Sequence, residues 1–163
     1  MVATTTERAL GLGEWAVSAA PGSVLTCLGL GSCVALVAYD ASAKVGGMAH
    51  MVLPDSVAGR VSETSPAKFV DLAVPLLLAE MERAGAQRTR MQVQLVGGAS
   101  MLEVPGRTNT MQIGERNAAA ARKALAAERL PVKQEHLGGT RGRTVRLDVG
   151  TGRIEVSTAG PKE

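Results

Sequence analysis

The sequence predicts an α/β fold, a layered sandwich of mixed or antiparallel β-sheets with helices packed outside. Three observations carry this. Short apolar strands at close spacing fill the first third of the chain. Two helical segments with a strand between them occupy the middle. Three short strands separated by glycine-rich turns follow to the end.

The first third opens with a weak strand at residues 14–17 and an apolar one at 24–28. Residues 33–39, Cys33-Val34-Ala35-Leu36-Val37-Ala38-Tyr39, form a continuous apolar run rich in branched side chains, ending at the turn sequence Asp40-Ala41-Ser42. Residues 44–53 are the next candidate, interrupted by Gly46-Gly47 and closed by Pro54-Asp55. Strands so placed predict hairpins.

A helix is expected from Ser65 as cap and Pro66 as first helical residue to a stop at Gly85. Its apolar stripe is Val70, Val74, Leu77, Met81 and Ala84, and Pro75 inside it predicts a kink. Residues 91–96 alternate Met91, Val93 and Leu95 with Gln92 and Gln94, a half-buried strand. A second helix runs from about Gly114 through an alanine-rich segment to Pro131. Residues 132–157 then read as three strands divided at Gly138-Gly139 and at residues 148–152.

Composition narrows the class. A chain of 163 residues fits one domain, residues 1–163, with an ordinary hydrophobic content of 45%. Aromatic residues make up only 2%, so base-stacking platforms are nearly excluded. The net charge of +3 is scattered apart from a short Arg141, Arg143 and Arg146 cluster, of which Arg141 and Arg143 read as solvated surface charge. The first fifteen residues lack the apolar run of a secretion signal, and no stretch is long enough to span a bilayer. Cys27 and Cys33 are the only cysteines, which fits free thiols in a reducing cytoplasm rather than a disulfide scaffold.

The segment Gly29-Leu30-Gly31-Ser32-Cys33 is the richest in chemical implication. Glycines ahead of a nucleophile let backbone N–H groups approach a reacting carbonyl, so Gly31 and Ser32 are candidates for an oxyanion-binding turn. A cysteine there becomes a nucleophile when something lowers its pKa. His50 ends the next strand candidate, and a hairpin turning at residues 40–43 would set it opposite Cys33. A cysteine in an apolar strand is more often a small buried hydrophobe, and a solitary histidine is more often structural. Val34 stands where a dinucleotide fingerprint needs its third glycine, and Cys27, Cys33, His50 and His136 show no metal-ligand spacing, so no cofactor is expected. Gly97-Gly98-Ala99-Ser100 is a tight turn or a loop lining a cleft.

The residues alone lead as far as a thiol hydrolase. The strings LGLGSCVALVAYD (28–40) and KVGGMAHMVLPDS (44–56) resemble the CheD family, the chemoreceptor glutamine deamidases. The likeness continues through VGGASML (96–102), IGERN (113–117) and GGTRGRTVRLDVGTG (138–152). It implies two β-sheets layered with helices, as in the cysteine hydrolase fold of a deamidating bacterial toxin. It also implies Cys33 and His50 as catalytic pair, and the cytoplasmic parts of chemotaxis receptors as partners. A CheC-type phosphatase of the response regulator is a further possible partner, and binding it is the alternative function. The family usually has a threonine six residues before the nucleophile; here Cys27 holds that position and Thr26 precedes it. Cys27 is therefore the expected third catalytic residue, with Thr26 the alternative.

Overall fold

The apolar run after Cys33 is a strand covered on both faces, and the other elements are arranged around it. The computed structural model describes residues 5–56, 65–100 and 112–160. Met101 and Leu102 of the VGGASML segment lie outside them. In chain order the elements are β1 (Thr6–Ala9), β2 (Trp15–Ser18), β3 (Ser23–Leu30), β4 (Val34–Asp40), β5 (Val45–Met51), α1 (Val70–Arg83), β6 (Gln92–Gly97), α2 (Ile113–Ala127), β7 (Val132–Leu137), β8 (Arg143–Asp148) and β9 (Ile154–Thr158). A 3-10 turn, Arg88–Arg90, precedes β6.

Two sheets form: β2-β5-β4-β6-β7 and β1-β3-β8-β9. Each is mixed, since β6 and β7 run parallel, as do β1 and β3, while the remaining pairs are antiparallel. Alternation along β4 divides the core in two. Val34, Leu36 and Ala38 face the helices, meeting Val74, Leu77 and Met81 of α1 and Ala121 and Leu125 of α2. Ala35, Val37 and Tyr39 face the second sheet, meeting Leu25, Cys27, Val145 and Leu147. A layered α/β sandwich of two mixed sheets with helices is therefore what the sequence builds.

Several expectations need correction. Gly46 and Gly47 do not interrupt their strand, because β5 runs through both and pairs with β2 and β4 on either side. A side chain at Gly46 would meet Leu147 Cδ2 at 2.8 Å, and one at Gly47 would meet Met81 Sδ at 2.7 Å. The two glycines let the second sheet and α1 close on β5 from opposite faces.

Helix α1 begins at Val70, not at Pro66. Phe69 is held extended by a bridge to Leu53, and Val70 N–H donates to the Leu53 carbonyl at 2.9 Å, so Pro66 falls in a turn ahead of the bridge and the helix starts only after it. The helix ends as expected, with Gly85 at φ +108° donating to the Glu82 carbonyl. Its buried face holds Val70, Ala73, Val74, Leu77, Leu78 and Met81, whereas Ala84 is exposed. Strand β1 escaped the sequence reading because all four of its side chains are exposed. Among the described residues no helix is long and apolar enough to cross a membrane.

Candidate active site

The β4–β5 hairpin turns through residues 41–44 and fixes the register of the two candidate catalytic residues. Asp40 pairs with Val45, so His50 falls opposite Ala35 and Met51 opposite Val34. Cys33 is therefore not directly opposite His50, as a symmetric turn would have it, but two residues further along the same face. It packs against the core between the sheets, on the side to which Ala35 and Met48 point. Diagonal neighbours of this kind have Cβ atoms within about 7 Å, which suits a long side chain reaching toward a short one.

Cys33 lies just ahead of β4 and is part-exposed, while His50 is buried. Among the described residues no hydrogen bond joins Cys33 Sγ to the His50 ring. Such contacts in resting enzymes are often long and tighten only around substrate. Burial pushes the Cys33 thiol up from its ordinary value, partly offset by its own backbone N–H. A thiol shifted this way yields thiolate less readily than an ordinary cysteine, the opposite direction to the lowered pKa expected from the sequence.

The turn carrying Gly31, Ser32 and Cys33 is tied down by its carbonyls. Ala99 N–H donates to the Gly31 carbonyl at 2.8 Å, Asn117 Nδ2 to that of Ser32 at 2.9 Å, and Gly98 N–H to that of Cys33 at 2.9 Å. Among the described residues none of the three N–H groups of this turn is paired with a backbone carbonyl. Gly97, at φ +118°, passes so close to Cys33 that a side chain there would strike its carbonyl oxygen. The Gly97-Gly98 segment therefore serves as the floor beneath the cysteine turn.

Two further residues complete this floor, and sequence reasoning missed both. Asn117 is fully buried on α2; its Nδ2 also donates to the Val52 carbonyl at 2.8 Å, joining the cysteine turn to the end of β5. The signal was available, since Gly114, Asn117, Ala118, Ala121 and Leu125 form the buried stripe of α2, and a polar residue on such a stripe needs a partner. Arg143 was read as solvated charge, but its Nη1 donates to the Gly138 carbonyl at 2.8 Å and to the Gly97 carbonyl at 3.2 Å. Arg146, third of the cluster, is exposed and pairs with Glu7.

Cys27 and Thr26 point to opposite faces of β3, as alternation requires. Cys27 joins the core between the sheets, while the Thr26 hydroxyl donates to the Arg8 carbonyl at 3.3 Å. The bulge in β3 falls between Cys27 and Leu30, beyond both residues, so it does not reverse their facing. Burial, with a smaller contribution from Cys33, pushes the Cys27 thiol up to about 12.

A family model described as CheD chemotactic sensory transduction matches residues 52–158, well over half of the chain. A protein of Symbiobacterium thermophilum, named probable chemoreceptor glutamine deamidase CheD, is 46% identical over 156 residues, covering 96% of this chain and 94% of its own. The chain belongs to the CheD family. Proteins of the same name from Clostridium novyi and Clostridium botulinum strain Eklund 17B are 38% and 37% identical over 155 residues, covering 94% and 95% of this chain and 94% of their own. The match to the CheD family model begins after Cys33 and His50, whereas the alignments to these CheD relatives extend over nearly the whole chain.

Proposed function

We propose that this protein is a cytoplasmic chemoreceptor glutamine deamidase, a single deamidase domain over residues 1–163 that converts receptor glutamine side chains to glutamate. Cys33 is the nucleophile and His50 the base. His50 takes the thiol proton as sulfur attacks the carboxamide carbon, and N–H groups at Gly31 to Cys33 receive the negative charge that develops on the carbonyl oxygen. The tetrahedral adduct collapses with loss of ammonia, which carries away the proton returned by His50. Water, deprotonated by His50, then attacks the thioester, giving glutamate and restoring the thiol. Cys27 holds the position of the third residue as a neutral, buried thiol, and its modest contribution is packing behind the pair.

The observation that carries this reading is the register of the β4–β5 hairpin, which sets Cys33 and His50 on one face beside a turn whose N–H groups have no backbone-carbonyl partner among the described residues, in a chain whose relatives are named for this activity. The burial-raised Cys33 pKa agrees with it, because such a thiol needs a neighbouring base. The test is incubation with cytoplasmic fragments of the host's chemotaxis receptors, followed by peptide mass spectrometry and an ammonia assay. Discrete glutamine-to-glutamate changes are expected. Their absence on every receptor fragment would overturn the enzymatic reading.

A further inference from the structure

A histidine base works only when one ring nitrogen is free to accept the proton, and the group bonded to the other nitrogen decides which one that is. Family register puts Cys27 in line for that task, yet among the described residues no hydrogen bond joins it to His50. A buried thiol is a weak partner in any case. What does meet the ring is main chain: His50 Nδ1 lies 3.0 Å from the carbonyl oxygen of Leu10, in a buried contact.

Resting on the Cys33–His50 reading, we propose that the Leu10 carbonyl is the positioning group of the site, fixing His50 with its proton on Nδ1 and its Nε2 lone pair turned to the reaction. A carbonyl oxygen can only accept, so Nδ1 must donate, and the neutral ring then keeps Nε2 bare as the base. The carbonyl is itself held in place. Leu10 N–H donates to the Thr26 carbonyl at 2.8 Å, extending the β1–β3 ladder by one residue. Beyond it the chain returns to His50, where Gly13 N–H donates to the His50 carbonyl and His50 N–H to the Glu14 carbonyl, both at 2.9 Å. The segment from Leu10 to Glu14 thus grips His50 at ring, N–H and carbonyl together. Gly13, at φ +76° and with Ser65 Cβ 2.7 Å from where its own Cβ would lie, has no room for a side chain in that grip.

This arrangement explains how the chain can lack a threonine at position 27. The orienting bond comes from backbone, which no substitution on β3 removes directly, and Cys27 is left to fill space. It also gives the N-terminal segment, whose β1 side chains are all exposed, a part in the site.

The test reads the tautomer directly by nitrogen-15 NMR of the full chain labelled at histidine, with His136→Gln used to assign the two rings. In neutral His50 the proton is expected on Nδ1, protected from exchange, with Nε2 unprotonated, in the wild type and equally in Cys27→Val. A wild-type ring carrying its proton on Nε2 would overturn the proposal, as would loss of the Nδ1 proton in Cys27→Val. The spectrum does not depend on turnover, so an inactive protein with the expected tautomer would count against the deamidase reading alone. The wild-type spectrum is decisive even if Cys27→Val does not fold.

Discussion

Cys27 and Cys33 approach each other from opposite sheets, closely enough that a charge on Cys33 adds to burial in pushing the Cys27 thiol up to about 12. Both thiols are raised, but only Cys33 is part-exposed. Iodoacetamide near neutral pH should therefore modify Cys33 at least tenfold faster than Cys27, because the thiolate is the reacting species and must be reachable. His50→Ala should slow Cys33 further by removing its base. Peptide mapping after timed alkylation gives both rates, and comparable labelling of the two cysteines would contradict the placement of Cys27 in the inter-sheet core.

Removing the nucleophile should separate activity from folding. Cys33 lies at the edge of the core just ahead of β4, so Cys33→Ala should lose little stability while abolishing glutamine conversion on receptor fragments. Thermal melting paired with the ammonia assay checks this. Normal ammonia release from a well-folded variant would remove Cys33 from the mechanism.

The raised Cys27 pKa has a stability consequence at alkaline pH. The folded state holds its proton to about 12, while the unfolded chain releases it near the ordinary thiol value. Stability from this group is therefore complete below that ordinary value and is lost as pH rises through about 12, on the order of 4 kcal/mol in all. Cys27→Val should flatten the alkaline limb of a denaturant series run across that range. An unchanged slope would show that Cys27 ionises as readily in the fold as out of it.

Asp40 shows the opposite sign. It is fully buried at the hairpin turn, where burial pushes its carboxyl up. Hydrogen bonds from Arg90, from Gln87 N–H and from Ala43 N–H outweigh that and bring it down to about 2. Its contribution is present above the ordinary carboxylate range and is lost as pH falls through about 2, on the order of 2 kcal/mol. Asp40→Asn should melt lower at neutral pH and lose less on acidification than the wild type. Equal losses in acid would show that Arg90 does not hold the carboxylate ionised.

The fold was largely legible because its signals are periodic. The run after Cys33 is apolar at every position because β4 is buried on both faces, and the α1 stripe follows helical spacing. Boundaries set by long-range contacts were not legible. Phe69 and Pro66 look helical until Leu53, far away in sequence, claims Phe69 as a bridge partner. Within the proposed site, Cys33 and His50 stand out as candidates from residue type and spacing. The Leu10 carbonyl could not, since every residue has a carbonyl and only the fold decides which one reaches a histidine. Arg143 was hidden for a related reason, because its partners are the main-chain oxygens of Gly97 and Gly138.

Asn117 offers the sharpest test of how the cysteine turn is held. Its Nδ2 donates to the Ser32 carbonyl next to Cys33 and to the Val52 carbonyl two residues past His50, so one side chain ties the turn before β4 to the end of β5. Asn117→Leu keeps the branched outline of the side chain and removes both bonds, orphaning two carbonyls at a cost on the order of 3 kcal/mol. Freed from this tie, the turn should drift relative to His50, and displacements of about 1 Å can lower rates by as much as about a hundredfold. The expected result is a lower kcat with little change in KM, measured at a temperature where the variant is fully folded. The Cys33 alkylation rate at neutral pH should fall in step, since it reads the same geometry without any receptor. A variant destabilised as expected but normal in both rates would reduce Asn117 to a packing residue of α2.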